Sequence, residues 1–88
     1  MGEIAKSIQE KLARALSPTR LELVDESALH AGHAHAGVET HFRVTVESPA
    51  FTGLPRLARH RLVTRALAEE LAGPVHALAV TALAPGER

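Results

Sequence analysis

The sequence predicts an α+β fold in the order helix, strand, strand, helix, strand. Three observations predict it. Apolar residues recur at helical spacing in two stretches, they alternate with polar residues in the segments between, and Pro or Gly punctuates the junctions. A closing strand–helix–strand unit favours parallel pairing through a right-handed crossover. The first two strands pair as a hairpin with a long loop. Two helices on one face of a three-stranded mixed sheet is then the simplest way to bury both amphipathic faces. With 88 residues there is room for one core, so residues 1–88 are expected to form a single domain with its core at about 3–84.

In the first helix Ile4, Ile8, Leu12 and Ala15/Leu16 form the apolar stripe, with Glu3, Lys6, Gln9, Glu10 and Arg14 on the other faces. Pro18 stops it, because its ring excludes the preceding residue from helical geometry. Leu21 and Leu23 then alternate with Arg20 and Glu22, a short strand ending near Val24. Residues 27–37 have no stable period and read as a loop. Phe42, Val44 and Val46 alternate with His41, Arg43, Thr45 and Glu47, a half-buried strand. A turn region around Gly53 runs from 49 to 55. Residues 56–72 lack Pro and Gly and are rich in Leu, Ala and Arg, which predicts one helix. Its buried stripe is His60, Val63, Leu67 and Leu71. Gly73-Pro74 ends it, and residues 75–83 form the third strand before a short tail.

Composition closes several routes. Ten basic and ten acidic residues balance, so a basic site must be a local patch rather than a global charge excess. The only aromatics are Phe42 and Phe51, which argues against base-stacking platforms for single strands. Cysteine is absent, which excludes disulfides, thiol catalysis and a self-supplied thiolate metal site. No apolar run approaches a membrane span. Lys6 stands where a myristoylation signal needs Ser or Thr, and Glu3 and Glu10 do not suit a transit peptide; a soluble cytoplasmic protein is the expectation.

Six histidines are the compositional oddity. His30, His33 and His35 form H-x-x-H-x-H in the loop, among Ala and Gly that would let two imidazoles reach one ion; the alternative is a solvated loop whose histidines have no role. His76 opens the third strand and shares a face with Leu78 and Val80, as a ligand or as a hydrogen-bonded structural residue. Arg56, Arg59, Arg61 and Arg65 lie within ten residues without an acid. Arg61 and Arg65 are one helical turn apart and can meet two phosphates; equally, the four can be a solvated face, with Arg65 pairing Glu69. His60, in the buried stripe, reads as structural, so His60→Ala is expected to lower thermal stability. Asp25, Glu26 and Ser27 have no nucleophile-elbow context and close the strand instead. No catalytic candidate survives, and an enzyme is the least favoured class.

Asp25-Glu26-Ser27, a histidine-bearing loop, Glu39-Thr40-His41-Phe42-Arg43-Val44 and Ser48 together resemble the BolA family. So do Phe51-x-Gly53 followed by Arg59-His60-Arg61, Leu67-Ala68-Glu69-Glu70-Leu71 and Val75-His76-Ala77-Leu78. The resemblance runs from about residue 21 to 85. It implies a class II KH-like fold, although the Gly-x-x-Gly clamp of nucleic-acid-binding KH domains is absent. It also implies an adaptor that binds a monothiol glutaredoxin and shares a glutathione-containing 2Fe–2S cluster with it, in iron–sulfur trafficking or iron and stress regulation. The family's invariant histidine maps onto His76 and its variable loop onto residues 28–37. There His33 is the favoured second ligand, with His30 and His35 as alternatives. A histidine-held cluster is released by imidazole protonation, which suits transfer. Some members of the family are DNA-binding transcriptional regulators, which makes the Arg56, Arg59, Arg61 and Arg65 region the site of a second reading. A third is a plain zinc site in the histidine loop.

Overall fold

The computed structural model describes residues 2–27 and 40–87. Helix α1 spans Glu3–Leu16, strand β1 Arg20–Asp25, strand β2 His41–Glu47, helix α2 Arg56–Ala66, helix α3 Ala68–Ala72 and strand β3 Ala77–Leu83. A single 3₁₀ turn at Pro49–Phe51 follows β2. The sheet order is β1-β2-β3, with β1 antiparallel and β3 parallel to the central β2. This is the expected α+β arrangement.

Period-two alternation decides which face of β2 is inside. Phe42, Val44 and Val46 are buried at 0–2% exposure and pack with Ile8 and Leu12 of α1, Val63 of α2, Leu67 and Phe51. His41, Arg43, Thr45 and Glu47 therefore face the side of the sheet without helices. The end of α1 needs a left-handed residue, and Ser17, directly before Pro18, takes φ 45°. Its N–H donates to the Ala13 carbonyl, which satisfies one of the orphan carbonyls of the last turn.

Ser48 ties three elements together in the core. It is fully buried. Its hydroxyl donates to the Leu16 carbonyl at 2.5 Å and accepts from the Ala50 N–H at 3.1 Å. Its own N–H donates to the Leu83 carbonyl at 2.9 Å. The end of α1, the exit of β2 and the end of β3 thus meet on one residue.

Two sequence expectations are corrected here. The predicted continuous helix breaks at Leu67, whose φ −108° and ψ 22° leave helical geometry. No Gly or Pro marks the break, and Leu67 itself is buried at 1% exposure. Beyond it, α3 sets Glu70 against α1, where Ser7 donates to its carboxylate at 2.6 Å and Lys11 pairs with it at 2.8 Å. Burial alone pushes the Glu70 carboxyl up, but Lys11 and Ser7 outweigh it and hold the group below the usual carboxylate range. The third strand starts at Ala77 rather than Val75. Val75 is buried and still closes the helix end, its N–H donating to the Glu70 carbonyl at 2.9 Å.

The free edge of β3 is guarded. Leu83 turns its carbonyl toward the β2 side, to Ser48, so the Ala82 carbonyl points to the open edge. Arg59 occupies it at 3.2 Å, donates through Nε to the Leu54 carbonyl at 2.8 Å and grips the Glu87 carboxylate with both terminal nitrogens. A clamp of this kind hides edge groups from a fourth strand. Hydrogen bonds from Arg59 and from the Ala84 N–H lower the Glu87 pKa to about 2. A depressed carboxyl contributes stability above its unfolded pKa of about 4.3 and loses it as pH falls through the folded value. Thermal melts between pH ~4.3 and about 2 should therefore show an acid-dependent loss that is smaller in Glu87→Gln; identical pH profiles would remove the clamp as its source.

Candidate metal centre

Both ends of the histidine-bearing segment are pinned to one end of the sheet. Ser27 is buried at 4% exposure, and its hydroxyl accepts from the Thr40 N–H at 2.9 Å and the His41 N–H at 3.1 Å. Asp25 caps Ser27, accepting its N–H at 2.9 Å, while the Glu26 carboxylate accepts from Arg43 at 3.0 Å. These acids close the strand, as their position suggested. On the other side the Thr40 carbonyl accepts from His76 at 2.7 Å and from Ala77 at 3.1 Å. Thr40 therefore joins the segment's return directly to the backbone of His76.

His76 lies one residue before β3 and is exposed. It does not share the inward face of Leu78 and Val80, as the strand parity had suggested. The ladder begins only at the His41–Ala77 pair, so alternation does not extend back to position 76. Its ring instead meets that of half-buried His41, with centroids 5.4 Å apart and planes tilted by 49°. Thr40 Oγ1 lies 2.8 Å from His41 Nδ1, which fixes the orientation of that ring. His41 was not singled out from the sequence as a site residue. Its signal was available: aligning Val44 with Val80 in parallel pairing brings position 41 level with the start of β3.

His30, His33 and His35 lie outside the described residues. The four arginines do not form one patch. Arg61 and Arg65 are exposed, one turn apart, on the outer side of α2, whereas Arg59 is consumed by its clamp at 13% side-chain exposure. The Arg65–Glu69 pairing is absent among the described residues, because the break at Leu67 intervenes and Glu69 pairs with Lys11 at 2.8 Å. Arg56 and His60 line a groove of about 700 Å³ with Leu57 and residues 80–83. His60 is exposed, contrary to its predicted burial. The inward stripe of α2 runs through Arg59, Leu62, Val63 and Ala66, and one residue further is about 100° round the helix.

Mixed antiparallel and parallel pairing with the helices on one face defines a small α+β class, here with a pair of histidines at one end of the sheet. Residues 12–87 match the family of BolA-like proteins. The chain is 56% identical over 86 residues to BolA-like protein 1 of Mus musculus, covering 98% of this chain and 61% of the mouse protein. It is 49% identical over 77 residues to the DNA-binding transcriptional regulator BolA of Escherichia coli, covering 88% and 71%. Its structure resembles that of BolA1 from Arabidopsis thaliana with a TM-score of 0.88 and 38% identity, over 100% of this chain and 99% of that one. The chain belongs to the BolA-like family. It spans about three-fifths of the length of the mouse relative.

The Ser27 hydroxyl serves two backbone donors, so Ser27→Ala leaves both without their acceptor, at about 1–3 kcal/mol. A lower melting temperature with faster amide exchange at Thr40 and His41 is expected; unchanged exchange at both would contradict the anchoring role. His60→Ala, by contrast, should leave the melting temperature nearly unchanged, as at other exposed sites.

Proposed function

We propose that this chain is an adaptor that contributes histidine ligands to a 2Fe–2S cluster shared with a monothiol glutaredoxin and glutathione. The observation that carries the reading is His76, exposed at the sheet end, bonded through its backbone to the return of the histidine-bearing segment, in a chain without cysteine. The donor set fits. Iron–sulfur irons accept imidazole in place of thiolate, and this chain can offer imidazole but no thiolate.

The partner thiol and the glutathione thiol supply two ligands, so this chain supplies two. His76 is one, its backbone tied to the Thr40 carbonyl at the sheet end. His33 is the second, with His30 and His35 able to replace it. Ser27 and Thr40 hold the ends of their segment beside His76, which shortens the search for the second ligand. No transformation of substrate is assigned to the chain, and no helix among the described residues is long and apolar enough to cross a membrane.

In the copurified complex, His76→Ala should abolish the visible circular dichroism of the mixed cluster while the two proteins still associate. Single changes of His30, His33 or His35 should do less, and changing all three to Ala should approach the His76→Ala effect. A wild-type dichroism spectrum from His76→Ala would reject the assignment.

A second reading is favoured by Arg61 and Arg65, exposed and adjacent on α2, and by the name of the Escherichia coli relative, a DNA-binding transcriptional regulator. Arg56 flanks them at the helix start; Arg59 is excluded by its clamp. If these residues contact phosphates, Arg61→Ala with Arg65→Ala should weaken binding of all duplexes alike. The log–log salt slope should flatten by about two, because each contact releases about one counterion. Unchanged gel shifts would remove the patch.

A further inference from the structure

His41 and His76 belong to different strands' ends, and the sheet holds them together. The parallel register places His41 opposite Ala77, and both backbone N–H groups at 76 and 77 are bonded to the Thr40 carbonyl. The backbone positions of the two imidazoles are thereby set before any ligand arrives. Their centroids lie 5.4 Å apart. Imidazole nitrogen sits about 2.0–2.1 Å from a zinc ion, so two rings on one tetrahedral ion have centroids on the order of 5–5.5 Å apart. The observed spacing falls within that range.

We propose that His41 and His76 form a two-imidazole site for one first-row divalent ion of the zinc or copper type, independently of the loop histidines and of any partner protein. Thr40 supports the assignment. Its hydroxyl lies 2.8 Å from Nδ1 of His41; with that oxygen accepting from Nδ1–H, the outer contact of histidine–metal sites, Nε2 is the nitrogen left to ligate. Imidazole donors without a carboxylate select borderline transition ions over magnesium or calcium. Water completes the coordination, since His76 is exposed. His76 would then serve both this ion and the cluster of the proposed function, so the two would exclude each other. The chelate itself does not depend on the cluster reading.

The test uses the isolated full chain with His30, His33 and His35 all changed to Ala, titrated with Zn²⁺. One equivalent should bind, with long-range ¹H–¹⁵N spectra showing shifts at the side-chain nitrogens of both His41 and His76. In that background His41→Phe should weaken binding about tenfold or more, and Thr40→Val by about tenfold. His60→Ala should leave it unchanged. His41→Asn serves as the second variant if the Phe form fails to melt cooperatively. Shifts at His76 alone, no change with His41→Phe and His41→Asn, or loss of all binding in the triple background would overturn the proposal. Because no glutaredoxin is present, these outcomes are separate from failure of the cluster assignment.

Discussion

The alternation along β2 is the constraint on which the rest of the structure depends. As the central strand it is hydrogen-bonded on both edges, and Phe42, Val44 and Val46 supply the floor on which α1 and α2 pack. A side-chain period of two leaves no freedom once that floor is chosen: His41 must face the side without helices. Parallel pairing with β3 then brings the start of that strand, and His76 just before it, level with His41. The same alternation that builds the core therefore delivers the histidine pair.

Polar groups within the fold hold the joints between these elements. Ser48 gathers the ends of α1, β2 and β3, and Ser27 gathers the two stems of the histidine-bearing segment at the opposite end of β2. Both hydroxyls sit where backbone groups would otherwise lose water without gaining a partner, a cost that makes small buried serines specific rather than interchangeable with alanine. Arg59 plays a comparable part at the β3 edge. Its sequence neighbours are exposed cations, yet its own guanidinium is turned inward onto Ala82, Leu54 and Glu87. The division of labour on α2 follows from that: Arg59 stabilises, while Arg56, Arg61 and Arg65 remain on the surface.

Element order, the inward face of β2 and the stop at Pro18 were legible in the sequence because each rests on a local period or a proline. The break at Leu67 was not, because residues 56–72 are uniformly good helix formers with no Gly or Pro among them. His60 was misplaced for a related reason: a stripe drawn through Leu67 and Leu71 assumes one continuous helix, and the true stripe centres on Val63, with Arg59 at its end. The His76 position was visible as a family-like motif, but its outward direction depends on where the β2–β3 ladder begins. His41 was written into the strand pattern as a polar alternate. Its meaning emerges only when two strands distant in sequence are paired.

The central claim is that this chain brings imidazole nitrogen, from His76, to a cluster whose thiolates come from elsewhere. Electron spin echo modulation on the reduced cluster of the chain–glutaredoxin complex tests it most directly, because it detects ¹⁴N bound to iron. The account predicts strong histidine ¹⁴N couplings in the wild-type complex and their loss or marked reduction in His76→Ala. A wild-type complex without histidine nitrogen couplings, or couplings unchanged in His76→Ala, would contradict it.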